Sequence, residues 1–245
     1  MTEVAIPPAE LDCLLQNAGT AVLVGGQALA FWIAYYGVHI KDAPDAVVSK
    51  DADFLGGRDD AQRFSIAIGG EVEFPRPTST LAGIVRKRLS PTKEFEVDIL
   101  RTVNGLDPAA VRKHAREISD SSRDARYFVM SPVDCLVSRL ENLRTIASKQ
   151  TATGAWQARV AVRVAHTHAA ALLAAEQEKE AIRAATEVLR AATHAMGLNA
   201  FKRHGIDVLE AVPIDAYRSR NFVAQQWPRS VSRIRQLRNS PFRAP

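Results

Sequence analysis

The stretch Val22-Leu23-Val24-Gly25-Gly26-Gln27-Ala28-Leu29-Ala30, followed by Ser49-Lys50-Asp51-Ala52-Asp53-Phe54-Leu55, most restricts the architectures open to this chain. It reads as an apolar strand, a glycine turn, a helix beginning at about Gln27, and a second strand carrying two carboxylates. Glycines at 25 and 26 let the backbone turn sharply and approach a ligand closely. The helix start aims free amides and the positive end of its dipole at the same point, which suits phosphate. Asp51 and Asp53 are two apart, so on a strand they leave one face, and their charges repel unless a cation is present. Hard oxygen ligands beside a phosphate cradle suit Mg²⁺, which is commonly shared between one or two carboxylates and substrate phosphates.

Periodicity around this core predicts an α/β (α+β) fold, a mixed sheet with flanking helices, followed by a helical domain. Pro7 to Ala18 reads as a helix, Ala21 to Val24 as a buried strand and Gln27 to Gly37 as a buried helix. Val38 to Ser49 is a loop, Asp51 to Leu55 a strand, Asp59 to Ile68 a helix and Glu71 to Phe74 a short strand. Ile84 to Leu89 and Glu94 to Leu100, joined through Ser90-Pro91-Thr92-Lys93, form a hairpin in which Glu94, Glu96 and Asp98 share one face and Phe95, Val97 and Ile99 the other. Pro108 to Arg116 is a helix and Tyr127 to Met130 a strand. From Ser131 the composition turns helical, which predicts a domain boundary between residues 1–130 and 131–245. Cys135, Leu136, Leu140, Leu143 and Ile146 make one apolar face. The Ala-rich runs from Gly154 to about Ala175 and from Glu176 to about Met196 are helices, the second ended by Gly197, and the tail is broken by Pro228 and Pro241.

Charge divides the chain as composition does. Residues 1–130 hold 15 Lys and Arg against 18 Asp and Glu, a net −3, and residues 131–245 hold 17 against 9, a net +8. A basic half beside a carboxylate-bearing half suits chemistry on a polyanion. Arg218, Arg220, Arg229, Arg233, Arg235, Arg238 and Arg243, interleaved with Phe222, Trp227 and Phe242, suit a phosphate backbone and exposed bases, with Arg233, Arg235 and Arg238 as the residues to test. Phe222 and Trp227 read equally as core residues of a terminal helix. No run of about 18 apolar residues occurs, so no membrane partner is expected. Met1 to Glu10 lacks Lys and Arg, unlike a signal peptide, and Cys13 and Cys135 have no metal or disulfide spacing; the expectation is a cytoplasmic protein. The histidines, His166 and His168 among them, do not cluster and read as non-ligands.

A Gly-Gly turn before a helix, an acid-apolar-acid strand, and a further acid in Val97-Asp98-Ile99 make an ordered set that resembles the nucleotidyltransferase superfamily. The Val24-Gly25-Gly26-Gln27-Ala28-Leu29 form followed by Asp51-Ala52-Asp53-Phe54 is similar to the AbiEii-type and related minimal nucleotidyltransferases, many of them toxins of toxin–antitoxin pairs. The likeness covers about residues 20–150. Val38 to Ser49 is an insertion relative to it, and Ala52 is small where a bulkier apolar residue is common. The resemblance implies transfer of a nucleoside monophosphate from a nucleoside triphosphate to an acceptor hydroxyl, with RNA, a tRNA end in particular, as acceptor and a cognate antitoxin as partner. It implies two Mg²⁺ ions on Asp51, Asp53 and Asp98, the last also helping to deprotonate the acceptor, with Glu96 in reserve. Gly25 and Gly26 would hold phosphate, joined by Lys50 and, from the helical segment, by Arg139 and Lys149; Lys50 reads equally as a surface lysine, and a solvated helix face is the favoured reading of Arg139 and Lys149. Two other classes stay open: a non-catalytic or antitoxin-like nucleotide-binding module, and a small-molecule transferase of the aminoglycoside-modifying kind.

Overall fold

The computed structural model describes residues 2–38, 51–121 and 125–240; Lys50, most of the 38–49 loop, Phe242 and Arg243 lie outside the described residues. The fold is mixed α/β, a mixed sheet with flanking helices and a helical C-terminal region. In chain order its elements are β1 (Thr2–Glu3), α1 (Pro8–Gln16), β2 (Val22–Val24), α2 (Gly25–Tyr35), β3 (Ala52–Leu55), α3 (Arg58–Ile68), β4 (Glu71–Glu73), β5 (Leu81–Ser90), β6 (Lys93–Leu100), α4 (Pro108–His114), β7 (Arg116–Asp120) and β8 (Ala125–Val129), then α5 (Pro132–Thr145), α6 (Ala152–Ala174), α7 (Glu178–Thr193), α8 (Ala195–His204) and α9 (Trp227–Asn239). They fall into two compact units, one of Met1–Phe31 with Asp45–Cys135 and the other of Trp32–Pro44 with Leu136–Pro245.

The first unit is built on one sheet in the order β4-β5-β6-β3-β2-β8-β7, with β1 lying parallel to the start of β6. β5 and β6 form the expected hairpin across Pro91 and Thr92, and β3 lies parallel to β6 on its other side. Alternation gives the sheet two unlike faces. On one, Ala52, Phe54, Val85, Phe95, Val97 and Ile99 are fully buried, and Phe54 meets Phe64 of α3 with ring centroids 4.7 Å apart. Gly83 lies on that face, where a Cβ would come within 2.6 Å of the Ala61 Cβ; its absence lets α3 settle onto β5. Lys87 Nζ reaches Glu10 Oε1 at 2.5 Å, tying α1 to the same face. The opposite face carries the acids.

The second unit is helical and is held by small residues packed closely. Ala155, Ala158, Ala161, Ala165 and Ala169 are buried along α6, and Ala181, Ala185 and Ala192 along α7, which packs against it. Gly197 differs from its expected place: it lies inside α8, where a Cβ would meet the Ala191 carbonyl oxygen at 2.4 Å, so it permits close approach to α7 rather than ending a helix. Pro228 likewise does not break the tail: the backbone stays helical over residues 220–239, with a π-turn at Phe222–Gln226 just before the proline, where the regular hydrogen-bond ladder is already interrupted. In the first unit, β7 takes up Arg116–Asp120, where Arg116 was expected to close a helix. Its Ile118 pairs with Tyr127 of β8. No helix among the described residues is long and apolar enough to cross a membrane.

Candidate functional site

Sheet register sets the acids side by side. Val24 of β2 pairs with Asp53 of β3, Asp53 with Asp98 of β6, and Asp98 with Ile84 of β5, so these four form one row across the polar face. Asp51 immediately precedes β3, two residues before Asp53, and Glu96 lies two residues before Asp98 on the same face. Two strands distant in sequence, β3 and β6, thus bring Asp51, Asp53 and Asp98 to one surface.

The glycine turn is built around Asp53. Gly25 has φ +66°, the left-handed region, and a Cβ there would lie 1.9 Å from Asp53 Oδ2. α2 begins at Gly25, two residues earlier than expected, so the turn and the first helical turn coincide. Gly25 is therefore required first by the aspartate, whose carboxylate occupies the place of the missing side chain. Gly26 lies within the opening turn of α2, where amides have no partners inside the helix.

Burial and neighbouring charge both act on Asp98. Burial pushes the Asp98 carboxyl above its ordinary range, the charges of Glu96 and Asp51 push it further, and Arg86 partly offsets them. Glu96 is otherwise engaged: Arg86 Nε donates to Glu96 Oε1 at 2.5 Å, and the same guanidinium also pairs with Glu73. The two carboxylates raise the Arg86 pKa in turn. Glu96 thus has a counter-ion, shared with Glu73, and Asp98 has no hydrogen-bond donor among the described residues. Asp51 Oδ1 is buried and accepts no hydrogen bond from any of them. Arg86 was not singled out by sequence: even pairing about Pro91 and Thr92 would set Lys87 opposite Glu96, and it is the register shift between Arg88 and Ser90 that brings Arg86 there.

These residues were tested against the Mg²⁺ expectation. Among the described residues no three His, Cys, Asp or Glu side chains form a ready metal cage. The donors present are carboxylate oxygens, one of them buried without a partner, crowded enough to raise a pKa. That set fits a hard cation whose remaining ligands are water and substrate phosphate, the usual coordination of Mg²⁺. His166 and His168 are not part of it: His166 Nδ1 bonds the Glu210 carbonyl oxygen and His168 Nδ1 the Tyr36 hydroxyl, each at 2.8 Å.

The remaining expected residues fall in the second unit. Arg139 is buried and its Nη1 donates to Gln157 Oε1 at 3.3 Å; it shares a narrow crevice with Lys149, which is exposed. Of the terminal arginines, Arg229, Arg233 and Arg235 are exposed on α9. Arg238 is not available to a ligand. Its Nη1 and Nη2 donate to the two Asp207 carboxylate oxygens at 3.0 and 2.5 Å, and its guanidinium lies 3.9 Å from the centre of the Phe201 ring. Phe222 is buried against Tyr217, with ring centroids 4.7 Å apart, so it is core rather than a stacking surface, and half-buried Trp227 packs beside it. No protein-family model matches the chain, and no curated protein matches it.

Proposed function

We propose that the chain is a nucleotidyltransferase, moving a nucleoside monophosphate from a nucleoside triphosphate to an acceptor hydroxyl. The observation that carries this reading is the row Val24–Asp53–Asp98, with Asp53 seated over Gly25 where α2 begins. In the reaction the acceptor oxygen forms a bond to the α-phosphorus, the α–β bridging P–O bond breaks, and pyrophosphate leaves. Asp51 and Asp53 would hold Mg²⁺, and the ion would supply charge neutralisation on the triphosphate. Asp98 takes the acceptor proton on its carboxylate, a role helped by a pKa moved up from the ordinary aspartate value. The opening amides of α2, at Gly26 and beyond, orient the phosphates.

The experiment is incubation of the full chain with Mg²⁺ and each α-labelled nucleoside triphosphate, offering total RNA, protein and small metabolites as separate acceptors. Label should pass to one acceptor class and pyrophosphate should be released; Asp53→Asn should abolish both and retain the fold. Nucleotide binding without transfer to any acceptor would favour the non-catalytic module, and transfer to metabolites the small-molecule enzyme.

A further inference from the structure

The second unit holds a feature that the sequence reading left unassigned. Two adjoining cavities, of about 440 and 230 Å³, run along one side of α6 and share Val162, Arg163 and Glu210. Arg159 and Arg163 are exposed in this groove, one helical turn or about 6 Å apart, and exposed His166 continues the line. Trp156 lines one end and Tyr36 the other. The Tyr36 ring is fixed by stacking on Trp32, with centroids 5.6 Å apart, and by the bond from its hydroxyl group to His168. Two acids border the groove. Among the described residues lining the groove these are Asp207, whose carboxylate pairs with Arg238, and Glu210. Next to the groove, the His204 pKa is lowered first by burial and then by the charges of Arg159 and Arg203.

We infer that this α6 groove binds single-stranded RNA, with Arg159, Arg163 and His166 along the phosphates and Tyr36 and Trp156 offering ring surfaces to bases. The chemistry favours a nucleic acid over an acidic peptide because aromatic rings stand at both ends of a cationic line, and bases have faces to stack while carboxylate side chains do not. Binding in the groove stands independently of catalysis; that the bound RNA is the acceptor rests on the transferase reading.

The test measures binding of a short, labelled single-stranded RNA of mixed sequence to the full chain across a salt series, without nucleotide or Mg²⁺. Wild type should bind with a strong salt dependence. Arg163→Gln should weaken binding about tenfold at low salt and lessen the log–log slope by about 0.7, the share of one phosphate on a single strand. Arg163→Lys should keep most of the affinity, because a phosphate contact needs charge, and this guards against a purely structural loss. Arg159→Gln adds to the effect but also removes a bond to the His204 carbonyl oxygen, so its melting temperature is measured alongside. Asp53→Asn should bind as wild type does. Absent or salt-independent RNA binding by wild type would overturn the inference. So would a loss confined to Arg229→Gln/Arg233→Gln on α9, or equal competition by polyglutamate. If Arg163→Gln loses RNA while wild type transfers no nucleotide, the groove stands and the transferase reading falls.

Discussion

At the scale of the residue, Gly25 and Asp53 behave as one unit. Alanine at 25 would need a left-handed backbone that costs roughly 1–2 kcal/mol for an L-residue. Its Cβ would also strike a carboxylate that would lie 1.9 Å away. Gly25→Ala should therefore lower stability by about 2 kcal/mol or more and abolish any rise in melting temperature with Mg²⁺. Thermal melts with and without the ion test both, and an intact Mg²⁺ response would separate glycine from aspartate. Asp98 gives a prediction with a definite sign. Its folded pKa is raised, so between the usual aspartate value of about 4 and that higher value the native state binds more protons than the unfolded one, and stability falls as pH rises. Asp98→Asn should remove that fall, gaining on wild type steadily above about pH 4, and saturating Mg²⁺ should narrow the gap. Much of this was legible: the spacing of the acids and the glycine pair marked the place. That Gly25 serves Asp53 before any ligand was not, because the close approach joins residues 28 positions apart through a pairing of β2 with β3 that no local pattern specifies.

At the scale of the element, alternation in β6 did most of the predictive work. Phe95, Val97 and Ile99 are all fully buried and their polar neighbours share the opposite face, as period two requires. The reading of the α9 arginines together as a surface for phosphate failed at one of them. Arg238 is 8% exposed at its side chain and bridges to Asp207, which belongs to a different segment, so its role is a tertiary fact. Burial alone would push the Asp207 carboxyl up, but the hydrogen bonds from Arg238 and the Leu209 amide, with the charges of Arg238 and Arg235, hold it below its usual range. A depressed pKa gives stability that is present above the ordinary aspartate range and lost as pH falls through the folded value. Arg238→Met should cost about 1.5–3 kcal/mol near neutral pH and progressively less in acid, as urea melts at several pH values would register. Gln at 229 and 233, by contrast, should leave stability within about 0.5 kcal/mol of wild type.

At the scale of the whole molecule, the sheet is an assembly of distant parts. β2 is bracketed by β3 and β8, β6 by β5, β3 and β1, and several of these pairings are parallel. Non-local pairing of this kind folds slowly because loop closure precedes the reward. Since the acid row is made by register itself, Mg²⁺-dependent protection should return during refolding in the same kinetic phase as strand structure. Interrupted refolding, sampled by unfolding with Mg²⁺ present, would reveal any later phase. Composition and periodicity indicated a mixed sheet followed by helices. They could not indicate strand order, because alternation tells each strand which side is inward and nothing about which neighbour it takes.

The pairing of Asp53 with Asp98 also bears on how the protein is made. On a ribosome, Gly25 and Asp53 are joined to the chain well before Asp98 exists, and β2 waits about a hundred residues, on the order of 5–20 s of synthesis, for β8. A product of premature termination between Asp53 and Asp98 carries the glycine turn and the first two acids but has no third strand to complete the row. Such a product lacks the partner that sets Asp53 beside Asp98, whatever it retains of the sequence motif.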